Sequence, residues 1–140
     1  MRPVRIVVGA PPGGGYDIVA RLMGQWLSDR LGQQFIIDNR PGAGGNVGTE
    51  TVVRAPADGY TLLMVGSYNA TNASLYDKLN FNFIRDITPV ASLLRVPFVM
   101  VVNPSVPAKT VPEFITYAKA NPRKLNMASA GTGTTSGSSA

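Results

Sequence analysis

Short β-branched runs alternate with longer amphipathic stretches along this chain. Residues 5–8 form a buried apolar run, and residues 16–31 carry Ile18, Val19, Leu22, Met23, Trp26, Leu27 and Leu31 at helical spacing. Arg21, Gln25, Asp29 and Arg30 fall on the other face, and Gly32 supplies a stop. The stripe predicts a helix packed through its large apolar side chains, with Trp26 in the core. A second strand follows over 34–38, a shorter helix around 46–55, a turn at Asp58 and Gly59, and a third strand over 60–65 with a core Tyr60 at its head. This β-α-β-α-β order with short links predicts an α/β fold with a parallel sheet and right-handed crossovers.

Beyond it, the small polar residues 66–74 read as a third loop on the same sheet edge, and 75–86 as irregular or briefly helical. Residues 87–94 and 97–103 read as two β segments, 104–107 as a connector, 111–120 as a helix opened by Thr110, and 125–127 as a strand. The change of pattern places a domain crossing near Asn103. Residues 128–140 repeat the logic of a strand and a small-residue turn with no helix after it. They read either as an interrupted βα unit of a longer protein or as a flexible Gly/Ser tail.

Two glycine-rich turns carry the chemistry. GAPPGGG spans 9–15 after the first strand, and PGAGGNVG spans 41–48 after the second. Glycine lets backbone approach a ligand without an intervening Cβ, and a helix start offers unpaired N–H groups and positive dipole charge. Two such turns at neighbouring strand ends predict an anion-binding cleft.

Composition narrows the chemistry further. With 140 residues, 44% of them hydrophobic and 15% charged, and a mean hydropathy of +0.07, the chain has material for one core and none of the signature of disorder. Its longest apolar stretches, such as 96–102, are too short to cross a bilayer, and the opening MRPVRI lacks the apolar core of a secretory signal. Thirteen Lys and Arg against eight Asp and Glu give a net charge of +5, spread from Arg2 to Lys124 without a run. That distribution suits meeting small anions better than a nucleic-acid footprint. Histidine and cysteine are both absent, which removes Ser-His and Cys-His nucleophiles, imidazole and thiolate metal ligands, and the side chain best suited to proton transfer near neutrality. The eight acids stand isolated, with no metal-loop spacing, although folding could still pair two of them.

Individual residues have plainer readings too. Asp17 in the first turn of a helix complements the dipole and would repel an anionic ligand, so a supporting role outweighs direct contact. Asn46 could equally cap the second helix or bind a ligand. A nucleotide- or phosphate-binding α/β enzyme domain is the main rival, since glycine turns also cradle phosphates. Its G-x-G-x-x-G fingerprint is not met: after Gly42 and Gly44 the fitting position is Val47, and neither turn carries GK[ST].

Taken in order, the segments at 10–17, 39–48, 58–60 and 102–105 and SAGTGTT at 129–135 resemble the Bug (TctC-like) periplasmic solute receptors of tripartite tricarboxylate transporters. The resemblance implies a type II periplasmic-binding fold of two lobes closing over a small organic carboxylate, here an incomplete architecture with residues 1–103 in lobe one and 104–140 opening lobe two. It implies a non-enzymatic periplasmic receptor without cofactor or metal, its leader absent from this chain, that hands its solute to membrane transporter subunits. Its first-lobe contacts map to Gly14, Gly15, Tyr16 and Asp17, to Gly44, Asn46 and Val47, and to Ser67. Its second-lobe contacts map to Ser129, Gly131, Thr132, Gly133 and Thr134. Tyr16 departs from the small hydroxyl residue often found at its position, and Gly137 from a frequent histidine. A third reading is an interaction domain without ligand, whose unfinished cleft would favour homo-oligomers or domain swapping.

Overall fold

The computed structural model describes residues 2–95, 97, 99–122 and 124–126. Among these, residues 2–88 form one compact unit and residues 89–126 another.

In the first unit, β1 (Val4–Val8) is the middle strand of a three-stranded sheet, flanked by β2 (Phe35–Asn39) and β3 (Thr61–Met64), both parallel to it. The register pairs Val8 with Asn39 on one side and with Met64 on the other. Because the chain steps from one side of β1 to the other, right-handed crossovers put α1 (Gly15–Leu31) and α2 (Asn46–Val53) on opposite faces. That explains why β1 is apolar at successive positions: Ile6 and Val8 alternate with Val7, and all three are buried.

The helix over 16–31 forms as expected, but its expected apolar face is buried only in part, with Val19 packed against the core and Met23 and Leu27 half-buried. Asp17, Ala20 and Gly24 face inward, while Ile18, Leu22 and Trp26 are at least half exposed. A Cβ at Gly24 would lie 3.2 Å from the Ile37 side chain, so small residues let the helix settle closely on the sheet. Trp26 lies on the surface under the Arg30 guanidinium, and Tyr60 is likewise exposed beneath Arg2, correcting both core assignments.

Residues 66–74 are not a loop. They build α3 (Ser67–Leu75), whose buried face is Tyr68, Asn69 and Asn72. A short α4 (Phe83–Asp86) follows, capped by Asn82, whose Oδ1 accepts from the Arg85 N–H at 3.0 Å.

The second unit contains α5 (Val111–Ala120). Thr110 Oγ1 accepts from the Glu113 N–H, and Glu113 Oε2 accepts from the N–H groups of Lys109 and Thr110. The β segments expected over 87–94 and 97–103 do not form among the described residues. Val90, Val99 and Val101 stay exposed there, and β-propensity without a neighbouring strand leaves the ladder unmade. Residues 125 and 126 are not in a strand either, and Met127 lies outside the described residues.

Candidate functional site

Parallel strands end on the same edge, so the three turns that follow β1, β2 and β3 are neighbours. The strand order reverses across β1 at this edge, which is where doubly wound sheets open a crevice. α1, α2 and α3 all start here, each without a side-chain cap on its preceding glycine. At α2 the Asn46 N–H donates to the Ala43 carbonyl and the Val47 N–H to the Gly42 carbonyl at 3.5 Å, and in the first turn of α3 the Asn69 N–H donates to the Gly66 carbonyl at 3.1 Å.

The turns interlock through backbone. A Cβ on Gly48 would sit 2.9 Å from the Gly9 Cα, and one on Gly9 would sit 2.9 Å from the Gly45 carbonyl oxygen. Gly45 adopts φ +92° and faces the Tyr68 ring within contact distance, so only glycine fits. Its neighbour Ala43 has φ +47°, a strained value for a residue with a side chain.

The first turn differs. Gly14 caps α1 at φ −77°, a value open to any residue. Among the described residues nothing lies within 4 Å of a Cβ built on Gly15, and only the Pro11 carbonyl, at 3.5 Å, approaches one built on Gly14. Neither packing nor backbone geometry here requires glycine at either position.

Asp17 is 2% exposed and fully engaged. Its Oδ2 accepts from the Gly13 N–H at 2.8 Å and from Arg21 Nε at 2.9 Å, and its Oδ1 accepts from Asn39 Nδ2 at 3.0 Å. The Arg21 hydrogen bond, then the Gly13 N–H, hold its carboxyl down at about 2. Asn39 also donates to the Ala10 carbonyl at 3.1 Å, tying the first turn to the end of β2. Arg40 is engaged by Asp38 at 3.0 Å.

In the second turn Gly44 has φ +62°, and its carbonyl accepts from Asn72 Nδ2 at 2.8 Å. Asn46 is not a cap. It is the first residue of α2, buried, with Oδ1 accepting from Asn72 Nδ2 at 2.9 Å. Asn46 Nδ2 and Asn72 Oδ1 have no hydrogen-bond partner among the described residues. Val47 is exposed beside Gly42. Ser67 opens α3 rather than lying in a loop, and Tyr16 meets Tyr68 edge to face, with ring centroids 5.4 Å apart.

Thus the edge brings together Gly14, Gly15, Tyr16, Asp17, Gly44, Asn46, Val47 and Ser67, each at or within two residues of a helix start. Ser129, Gly131, Thr132, Gly133 and Thr134 lie outside the described residues. Sequence reasoning missed Asn39, Tyr68, Asn69 and Asn72. Asn69 Oδ1 accepts from the Gly66 N–H at 2.9 Å, and its Nδ2 donates to Thr49 Oγ1 at 2.7 Å. Among the described residues no group of three acids, histidines or cysteines is placed to hold a metal. Among the described residues an open groove in the second unit lies on α5 around Tyr117, and in the first unit another lies beside Arg2 and Arg5 at the opposite ends of the strands.

Solved structures with this arrangement are periplasmic binding proteins. MatC from Rhodopseudomonas palustris with bound malate superposes with a TM-score of 0.80 at 36% identity, over 95% of this chain and 46% of that one. A second R. palustris protein, solved with adipate, gives 0.74 at 40% identity over 88% and 42%. The periplasmic binding protein BugD gives 0.69 at 28% over 95% and 44%. The fold is therefore an α/β fold of the periplasmic-binding class.

The sequence profile of the tripartite tricarboxylate transporter family receptor, TctC, matches residues 19–139, and the chain belongs to that family of solute-binding receptors. BugT of Bordetella pertussis is 37% identical over 129 residues, and a UPF0065 protein from a Pseudomonas species is 37% identical over 133. The chain spans about two-fifths of the length of each, 40% in both cases.

Proposed function

We propose that this protein is a periplasmic receptor, not an enzyme, that binds a small organic carboxylate at the carboxyl edge of the sheet and delivers it to membrane transporter subunits. Backbone N–H groups and hydroxyls of the glycine turns form the grip. Residues 1–103 belong to the first lobe and 104–140 open the second, with Ser129, Gly131, Thr132, Gly133 and Thr134 closing on the ligand from that side. The observation that carries this reading is the meeting of three glycine-led helix starts where the strand order reverses, with a side chain at Gly14 or Gly15 meeting no more than the Pro11 carbonyl among the described residues. Relatives solved with malate and adipate support a dicarboxylate as the solute. Both arginines nearest the turns, Arg21 and Arg40, are paired with carboxylates, so neutral donors meet the anion. Asp17 supports the first turn from below and leaves the ligand to the amides.

The test is thermal shift and calorimetry on the full-length product of the gene against malate, adipate, aromatic acids and nucleotides. A true ligand at a hundredfold excess over Kd raises stability by ~2.7 kcal/mol. Stabilisation by a nucleotide with none by any carboxylate would replace this reading with a phosphate-binding domain.

A further inference from the structure

We propose that Tyr68 is the positioning residue that sets the spacing of the three sheet-edge turns, and through it the width of the carboxylate recess. The inference rests on the receptor reading above.

Tyr68 is 6% exposed and touches all three corners. One edge of its ring, at Cε2 and Cδ2, lies against Gly45, and the opposite edge, at Cε1, lies against Gly66. Its hydroxyl is 3.1 Å from where a Cβ on Gly9 would be, and it donates to the Met64 carbonyl at 3.4 Å, which moors the ring to the last residue of β3. Tyr16 closes the remaining side edge to face at an interplanar angle of 82°, with its own hydroxyl end packed on Gly66.

A single phenol ring thus stands between the turn after β2 and the start of α3, braced from α1. Backbone amides grip a carboxylate only when donors sit within a few tenths of an ångström of their positions, and a rigid aromatic spacer keeps them there without a charge. The glycines at 45 and 66 serve this ring as much as any ligand.

The experiment compares the wild-type full-length product with Tyr68→Phe and Tyr68→Leu, reading affinity for malonate, succinate and adipate beside thermal melting. Tyr68→Phe keeps the spacer, so its affinities stay within about threefold of wild type, whereas a folded Tyr68→Leu loses at least about tenfold and its chain-length preference flattens. A merely structural role would lower the melting temperature and leave that preference unchanged, which overturns the proposal. So does a Tyr68→Phe loss as large as that of Tyr68→Leu, because the hydroxyl would then be acting instead of the ring. If Tyr68→Leu does not fold, Tyr68→Trp widens the spacer, and an unshifted preference is equally fatal.

If wild type binds no carboxylate, the receptor reading fails, and the spacer is decided by stability alone. Gly45→Ala then costs less in the Tyr68→Leu background than in wild type, since its φ strain is common to both and cancels in the cycle. Additive costs overturn it.

Discussion

Alanine at position 15 would add one methyl group to the first residue of α1, at a point where nothing among the described residues lies within 4 Å. Folding gains from such a change. Alanine loses less backbone entropy than glycine on entering a helix, by roughly 0.5–1 kcal/mol in a helix interior and less at a first turn. Binding would respond in the opposite direction. If the carboxylate rests on the α1 amides, the methyl occupies its approach and breaks at least one charge-assisted hydrogen bond, worth about 1.5–3 kcal/mol. At 1.4 kcal/mol per decade, that is a loss of roughly 10- to 100-fold in affinity. Calorimetric titration with malate or adipate, run beside thermal melts of the same full-length preparations, reads both effects. Gly15→Ala should melt no lower than wild type and bind at least about tenfold more weakly. Undiminished affinity in a stable Gly15→Ala protein refutes the placement of the ligand over this turn. A lowered melting temperature refutes the open geometry instead.

The other expectations concern titration and capping. Asp17→Asn removes a carboxylate whose folded pKa, about 2, lies below its ordinary value of 3.8. Its contribution is present above pH ~4 and is lost as pH falls toward 2, so chemical denaturation should separate wild type from Asp17→Asn at pH 6 and bring them together near pH 2. Tyr68, raised to about 12 from 10.0 chiefly by burial, holds its proton after the unfolded chain has released it. Stability should therefore fall with rising pH from 10 through 12, and Tyr68→Phe should remove that part of the slope in alkaline melts. Thr110→Ala deletes one half of the α5 capping box and should cost about 1 kcal/mol in denaturant unfolding of the second unit, with carboxylate affinity unchanged.

The sheet was legible because β1 and β2 announce themselves by apolar β-branched runs that lead into glycine-rich turns, at Gly9 directly after β1 and at Gly42 three residues past β2. The two turns could be read for the same reason. What sequence could not show is which glycines answer to packing: Gly9, Gly45 and Gly48 are hemmed in, while among the described residues a side chain at Gly15 would meet nothing and one at Gly14 only the Pro11 carbonyl. The phase of α1 was read only in part, since Val19 does pack against the core, because large side chains look like core, yet close approach to Phe35 and Ile37 favoured Gly24 and brought Ala20 inward. α3 escaped notice because two of its three buried residues are asparagines, whose hydrogen bonds reach Gly44, Asn46, Thr49 and Gly66. No hydrophobic period marks a helix packed through amides. The valines over 87–103 carried β-propensity into a stretch where the described chain supplies no neighbouring strand.

The meeting of Gly9 with Gly48 makes the first two loops one heritable unit. A side chain arising at Gly48 displaces the main chain at Gly9, and one at Gly9 the main chain at Gly45, so these positions are bound to drift in concert, whereas Gly14 and Gly15, which meet no more than the Pro11 carbonyl among the described residues, can diversify alone. New solute preferences would then arise most readily by substitutions at the mouth of α1, over a floor that tolerates almost none.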